Sequence, residues 1–122
     1  MARVLIVDDE ALIRTTFGAF LAHDGYETAC ATTAEEAIEL ADREDIDVIV
    51  CDIELPGMNG MELLRTIQAS NTGTKVILMT GRPTIETATE AVRESAFAYL
   101  SKPVDRTLFC STVREAARMR GL

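Results

Sequence analysis

Short apolar runs, bounded by polar or turn residues, recur along the chain and predict five β-strands. Residues 4–7, 48–51 and 76–79 are rich in β-branched side chains and too short for helices, which is typical of buried parallel strands. Residues 28–31 and 98–100 are less apolar, as expected of strands that lie nearer the edges of a sheet.

Between these runs, apolar residues recur at helical spacing and predict five helices. The apolar positions are Ile13, Phe17, Phe20 and Leu21; Ala37, Leu40 and Ala41; Leu64 and Ile67; Ile85, Ala88 and Val92; and Phe109, Val113 and Ala116. In the fourth helix, Ile85, Ala88, Ala91 and Val92 are expected to be the buried residues. Four of the helices also have a residue that can cap the N-terminus, namely Thr33, Asn59, Thr84 and Asp105.

The strict alternation of strands and helices predicts the fold class. Right-handed crossovers between parallel strands place helices on both faces of the sheet. We therefore expect an α/β, flavodoxin-like, doubly wound (βα)5 domain with a five-stranded parallel sheet of order 2-1-3-4-5. No linker or low-complexity tract interrupts the alternation, so one domain over residues 1–122 is expected.

The charge of the chain narrows the possible partners. Its formal net charge is −8 and its pI is near 4.6, so most of the surface would repel the phosphate backbone of nucleic acids, and no direct nucleic-acid binding is expected. The first apolar run, at residues 4–7, is too short for a signal peptide or a membrane span. No membrane association and a cytoplasmic location are expected.

The three cysteines do not suggest a zinc site or a disulfide framework. They are widely spaced, no CxxC pair occurs, and His23 is the single histidine that could join them as a ligand. Cys30 and Cys51 stand inside apolar runs, which predicts that both are small buried hydrophobic residues.

Chemically capable residues stand at the ends of the predicted strands, and in such a sheet ligands bind outside the carboxyl ends. These residues are Asp8, Asp9 and Glu10 after strand 1, Asp52 after strand 3, Thr80 after strand 4 and Lys102 after strand 5. Each has an ordinary alternative role when taken singly: the acids can cap helices or start turns, Thr80 can cap a loop, and Lys102 can be a surface charge. Their convergence on one edge favours a shared site.

Such a site favours metal-assisted phosphoryl transfer. Several carboxylates without histidine or cysteine suit Mg²⁺, with Mn²⁺ as the other candidate, rather than zinc. A carboxylate can attack phosphorus as a nucleophile, while a metal ion, an ammonium group and a hydroxyl donor neutralise the oxygens of the transferred group.

Four motifs, in order and at matching spacing, resemble response-regulator receiver domains of two-component signalling systems. They are VLIVDDE at residues 4–10, DIELPGMNG at 52–60, TG at 80–81 and YLSKP at 99–103. The resemblance covers nearly the whole chain and implies that Asp52 is phosphorylated by a histidine kinase or a histidine phosphotransfer protein. Such a domain would catalyse only its own phosphorylation and dephosphorylation.

The resemblance also implies a role for each residue of the metal site. Asp9, Asp52 and the main-chain carbonyl of Glu54 would ligate Mg²⁺, and Asp8 would hold a metal-bound water. 

The remaining implied roles concern the phosphoryl group and the switch. Thr80 would donate a hydrogen bond to the phosphoryl group, Lys102 would contact it, and the rotamer of Tyr99 would follow Thr80. The peptide bond between Lys102 and Pro103 would be cis. Phosphorylation would then change the face formed by helix 4, strand 5 and helix 5, which would control an output domain or partner protein or form a homodimer.

Local features around the predicted site indicate a subfamily, departures from the commoner pattern and a possible ion pair. Residues 80–88 resemble receivers that precede enhancer-binding transcriptional activators, although Pro83 is unusual in that loop and Ser95 stands where glycine is common. Glu54 and Arg82 stand two residues beyond Asp52 and Thr80, so we hypothesise that they form an ion pair over the pocket and modulate the loss of the phosphoryl group.

Three other classes of protein remain as alternatives. A phosphatase of the haloacid-dehalogenase type needs a second aspartate where this chain has Glu54. A flavin-binding module needs a phosphate-cradling loop where this chain has Asp8, Asp9 and Glu10. An interaction module that is never phosphorylated would not need the full set of acids, hydroxyl and lysine.

Overall fold

The computed structural model describes residues 2–121 and confirms all five predicted strands and all five predicted helices. The strands extend slightly beyond the predicted apolar runs. The elements are β1 (Arg3–Val7), α1 (Ala11–His23), β2 (Glu27–Ala31), α2 (Ala34–Arg43), β3 (Val48–Asp52), α3 (Gly60–Ala69), β4 (Lys75–Thr80), α4 (Ile85–Arg93), β5 (Ala98–Ser101) and α5 (Arg106–Arg120).

The five strands form one parallel sheet of order β2-β1-β3-β4-β5, as predicted. The central strands β1, β3 and β4 are buried on both faces, which explains why their sequences are continuously apolar. The register pairs Val7 with Cys51 and Thr80 with Ser101, so the strands reach the same edge of the sheet at their carboxyl ends.

Two apolar clusters, one on each face of the sheet, form the core. One cluster packs α2, α3 and part of α4 on the sheet through residues such as Leu63 and Leu64, which are fully buried. The other packs α1 and α5, where the rings of Phe17 and Phe109 stack with centroids 4.2 Å apart. Alternate residues of a strand point to opposite faces, so the central strands β1, β3 and β4 contribute buried residues to both clusters.

The predicted N-terminal caps are confirmed. The side chains of Thr33, Asn59, Thr84 and Asp105 each accept a hydrogen bond from the main-chain amide three residues later. At α3 the Glu62 carboxylate also accepts from the Asn59 amide, completing a capping box just after the loop that follows Asp52.

Two predictions about burial are wrong. Cys30 is exposed, because it lies on β2, an edge strand that has a neighbouring strand on one side only. Ile85 and Val92 are 83% and 79% exposed, because α4 packs on the sheet mainly through Ala91.

None of the helices within residues 2–121 combines the length and apolarity that crossing a membrane requires.

The end of α4 is fixed mostly by polar contacts with α3. Arg65 of α3 forms ion pairs with Glu90 of α4 and with Glu94, which directly follows α4, and Gln68 donates a hydrogen bond of 2.8 Å to the carbonyl of Ser95. Exposed ion pairs of this kind contribute little stability. Helix α4 is therefore held less firmly than the helices that bury several large apolar side chains.

Candidate functional site

The carboxyl ends of four strands bring the predicted site residues together. Asp8 directly follows β1, Asp52 ends β3, Thr80 ends β4, and Lys102 directly follows β5. Asp8 and Thr80 are fully buried and Asp52 is 4% exposed, which is unusual for polar side chains and requires partners.

Lys102 is the cation at the centre of this cluster. Its Nζ lies 2.9 Å from Oδ2 of Asp52, 3.1 Å from Oδ2 of Asp8 and 3.8 Å from Oε1 of Glu10. The ammonium group thus joins two buried carboxylates from different strands. Glu10 was not among the predicted ligands, although its position next to Asp8 and Asp9 could have suggested it.

Burial and charge act in opposite directions on these groups. Burial raises the pKa of Asp8 above its ordinary value, although the amide of Glu10 and the charge of Lys102 oppose the shift. Burial alone would lower the pKa of Lys102, but its hydrogen bonds with Asp52 and Asp8 outweigh that effect, so the pKa is raised. Lys102 therefore stays charged at neutral pH.

Main-chain contacts orient the two buried carboxylates. The amide of Glu10 donates to Oδ1 of Asp8 at 2.9 Å, and the amide of Glu54 donates to Oδ1 of Asp52 at 3.0 Å. Arg14, for which the sequence predicts no role, donates from its guanidinium to the carbonyl of Asp8 at 2.8 Å. Each carboxylate therefore has one oxygen held by an amide and the other by Lys102.

The start of α3 lies directly beneath Asp52. A Cβ built on Gly60 would come within 2.4 Å of the carbonyl oxygen of Asp52 and 2.9 Å of the Cα of Ile53. The Gly60 amide donates to the carbonyl of Ile53 at 3.0 Å. Only glycine permits this close approach, which fixes the backbone that carries Asp52.

The predicted ion pair between Glu54 and Arg82 is absent from the part of the chain that the structure describes. The Glu54 carboxylate instead accepts hydrogen bonds from the Thr80 hydroxyl, at 2.6 Å, and from the Gly81 amide, at 3.1 Å. These donors lie at the end of β4 and at the start of the loop that follows it, and together they satisfy both oxygens of the carboxylate. The amide of Arg82 donates in turn to the Thr80 oxygen at 2.9 Å.

An acidic cavity of about 490 Å³ opens at this edge of the sheet. It is lined by Asp9, Glu10, Asp52, Glu54, Gly81, Arg82 and Lys102. Carboxylate oxygens of Asp8, Glu10 and Asp52 lie within 4.8 Å of one another. An all-oxygen donor set with room for water fits Mg²⁺ or Mn²⁺, because these hard cations prefer carboxylate, carbonyl and water ligands.

The structure brings together Asp8, Asp9, Asp52, Glu54 and Lys102, which are the residues predicted for metal binding and charge neutralisation. Thr80 is adjacent to the cavity but does not line it, because Glu54 covers its hydroxyl. The peptide bond between Lys102 and Pro103 is cis, the isomer that the sequence resemblance implies.

Tyr99 lies apart from the cavity and contacts the start of α4. Its hydroxyl is 2.6 Å from the Thr87 hydroxyl and accepts a hydrogen bond of 3.3 Å from the amide of Thr84. Thr87 was not singled out by its sequence, since a threonine within a helix usually has no such partner. These bonds join β5 to the first turn of α4.

Comparisons with known proteins agree with this arrangement. Residues 4–114 match the family model of the response regulator receiver domain. Regulatory protein AtoC of Escherichia coli (strain K12) is 38% identical over 120 residues, which are 98% of this chain and 26% of AtoC. The chain thus spans about a quarter of the length of this curated relative.

Solved structures of receiver domains superpose closely. The crystal structure of a CheY-like response regulator receiver domain protein from Methanospirillum hungatei JF-1 has a TM-score of 0.94 and 31% identity, with 99% of this chain and 97% of that chain covered. The solution structure of the beryllofluoride-activated NtrC4 receiver domain dimer has a TM-score of 0.92 and 32% identity, with coverage of 98% and 99%.

Proposed function

The chain belongs to the response regulator receiver domain family, and on that premise we propose that phosphorylation of Asp52 switches it between two states. The phosphodonor is a phosphohistidine on a histidine kinase or a histidine phosphotransfer protein. The contact of Lys102 with both Asp52 and Asp8, at the mouth of an acidic cavity, carries this proposal. Asp52 supplies the nucleophile and Lys102 supplies the opposite charge in the same place.

The proposed transfer makes one bond and breaks one bond. A carboxylate oxygen of Asp52 forms a bond with phosphorus while the bond between phosphorus and the donor's imidazole nitrogen breaks, and the imidazole keeps the electron pair. Lys102 neutralises the negative charge on the phosphoryl oxygens, and the Thr80 hydroxyl donates a hydrogen bond to one of them.

The acids of the cavity fit a divalent cation, for which Mg²⁺ is the best candidate. Asp9, Asp52 and the main-chain carbonyl of Glu54 would hold it, and Asp8 would bind a water of its coordination shell. When bound, the ion neutralises phosphoryl oxygens and offsets the repulsion among the carboxylates. Lys102 and Arg82 together cannot balance the four carboxylates that line the cavity.

Intact-mass measurement tests the proposed phosphorylation. With acetyl phosphate and Mg²⁺, the chain should gain the mass of one phosphoryl group, and EDTA should prevent the gain. Asp52→Asn should gain none, while Asp105→Asn, which changes a helix cap that does not line the cavity, should behave like the parent. Phosphorylation of Asp52→Asn at the parent rate would rule out Asp52 as the nucleophile.

We also propose that the switch acts on the face formed by α4, β5 and α5, which contacts an output domain or partner protein or forms a homodimer. Exposed Ile85 and Val92 give α4 an apolar outer surface of the kind that interfaces use. The hydroxyl of Tyr99 joins β5 to α4 through Thr87. The activated dimer of the similar NtrC4 receiver supports a dimeric form.

Amide hydrogen exchange tests this second proposal. Adding beryllofluoride, a phosphoryl mimic, with Mg²⁺ should change exchange most strongly between residues 81 and 108, which include α4 and β5. A small number of new hydrogen bonds can shift such a two-state equilibrium by a few kcal/mol. Changes confined to the loop after Asp52 would contradict the proposal.

A further inference from the structure

The Thr80 hydroxyl is already fully engaged in the structure. Thr80 is 0% exposed, and its hydroxyl donates to Oε2 of Glu54 at 2.6 Å while its oxygen accepts from the amide of Arg82 at 2.9 Å. A hydroxyl has a single proton to donate. While Glu54 accepts that proton, a phosphoryl group on Asp52 cannot receive it.

The second oxygen of Glu54 accepts a hydrogen bond from a donor that directly follows Thr80. Its Oε1 accepts from the Gly81 amide at 3.1 Å, so one carboxylate bridges from the loop after β3 to the end of β4. Hydrogen bonds to an ionised acceptor are roughly twice as strong as neutral ones. Glu54 also shares the cavity with Asp9, Glu10 and Asp52, whose negative charges favour its attachment to these donors.

On the basis of the proposed function, we infer that the Glu54 carboxylate is an internal competitor of the phosphoryl group for the Thr80 hydroxyl. In the unphosphorylated chain Glu54 holds Thr80 and Gly81. In the phosphorylated chain the Thr80 hydroxyl must donate its hydrogen bond to the phosphoryl group instead of to Glu54. Phosphorylation therefore replaces one charged acceptor of this hydroxyl with another. The stability of the phosphorylated state then depends on the affinity of Glu54 for this loop.

Binding of beryllofluoride, followed by ¹⁹F NMR at saturating Mg²⁺, measures this competition. Glu54→Ala should bind the mimic about tenfold more tightly than the parent, which is the size expected from losing one charged hydrogen-bond competitor. Glu54→Gln keeps an acceptor oxygen without the charge and should show a smaller gain. Glu86→Gln removes one charge from the exposed first turn of α4 and should change the affinity less than twofold.

A double-mutant cycle separates competition for Thr80 from general charge repulsion. In a Thr80→Ala background, Glu54→Ala should improve binding by less than about twofold, because no hydroxyl proton remains to compete for. An equal gain with and without the Thr80 hydroxyl would overturn the inference in favour of repulsion. A loss of affinity in Glu54→Ala would also overturn it, since Glu54 would then prepare the loop for the mimic.

A metal-free measurement gives an independent readout. In EDTA, hydrogen exchange of the Gly81 amide should be faster in Glu54→Ala than in the parent, because that amide loses its acceptor. Unchanged exchange would contradict the proposed contact in solution. If the parent itself binds no beryllofluoride in Mg²⁺ while the Gly81 difference is present, the proposed function fails and the contact stands.

Discussion

Replacing Gly60 with alanine should disturb both the fold and the position of Asp52. The new Cβ would lie 2.4 Å from the carbonyl oxygen of Asp52, about 1 Å closer than an ordinary contact. The other close atoms also belong to the backbone, at Asp52 and Ile53, so no side-chain rotation can relieve the contact.

The expected cost follows from this overpacking. Insertion of an extra carbon into a tightly packed site typically costs about 1–3 kcal/mol. Alanine has a higher helix propensity than glycine, which at the first position of α3 offsets less than about 1 kcal/mol of this cost. The free energy of unfolding of Gly60→Ala should therefore fall, by up to about 3 kcal/mol, as measured by urea denaturation in EDTA.

Gly18→Ala provides a matched control. Gly18 lies within α1, and the nearest atom to its new Cβ is Cδ1 of Ile6 at 3.9 Å, an ordinary contact. This substitution should raise the free energy of unfolding by up to about 1 kcal/mol. If Gly60→Ala is as stable as the parent while Gly18→Ala gains stability, the close packing of α3 beneath Asp52 is wrong.

Three further substitutions test the turn and the buried charges. Ser95 adopts a left-handed conformation with φ 64°, so Ser95→Gly should raise the free energy of unfolding by about 0.5–1 kcal/mol in urea denaturation. The raised pKa of Lys102 means that its pairing stabilises the fold fully below about pH 10.5 and is lost as the pH rises through the higher folded value. Urea midpoints of Lys102→Met should therefore vary less between pH 9 and 12 than those of the parent. The raised pKa of Asp8 means that its ionisation costs stability as the pH rises above 3.8, so Asp8→Asn should be more stable than the parent in EDTA at pH 7 and gain less from Mg²⁺.

The fold was predictable because its signals are local and consistent. The buried strands β1, β3 and β4 are short apolar runs, and side chains such as Asn59 and Thr84 identify helix starts through contacts three residues away. The convergence of Asp8, Asp52 and Lys102 also follows from the sequence, once a parallel sheet has been inferred, since the carboxyl ends of its strands share one edge.

The errors concern choices that sequence spacing does not determine. Helical spacing identified α4 but not the side that it buries, because Ile85 and Val92 could have faced either the sheet or solvent. Glu54 could have paired with Arg82, yet the donors of Thr80 and Gly81 lie closer to its carboxylate. Such preferences depend on the positions of two loops relative to each other.

Chemical trapping of the acyl phosphate tests the central claim most directly. Borohydride reduces an aspartyl phosphate to homoserine, which tandem mass spectrometry can locate in the chain after treatment with acetyl phosphate and Mg²⁺. The proposed function predicts homoserine at position 52 alone, and none when EDTA is present. Reduction products at Asp8, Asp9 or Glu54, or none at any carboxylate after Mg²⁺ treatment, would contradict the assignment of Asp52 as the phosphoryl acceptor.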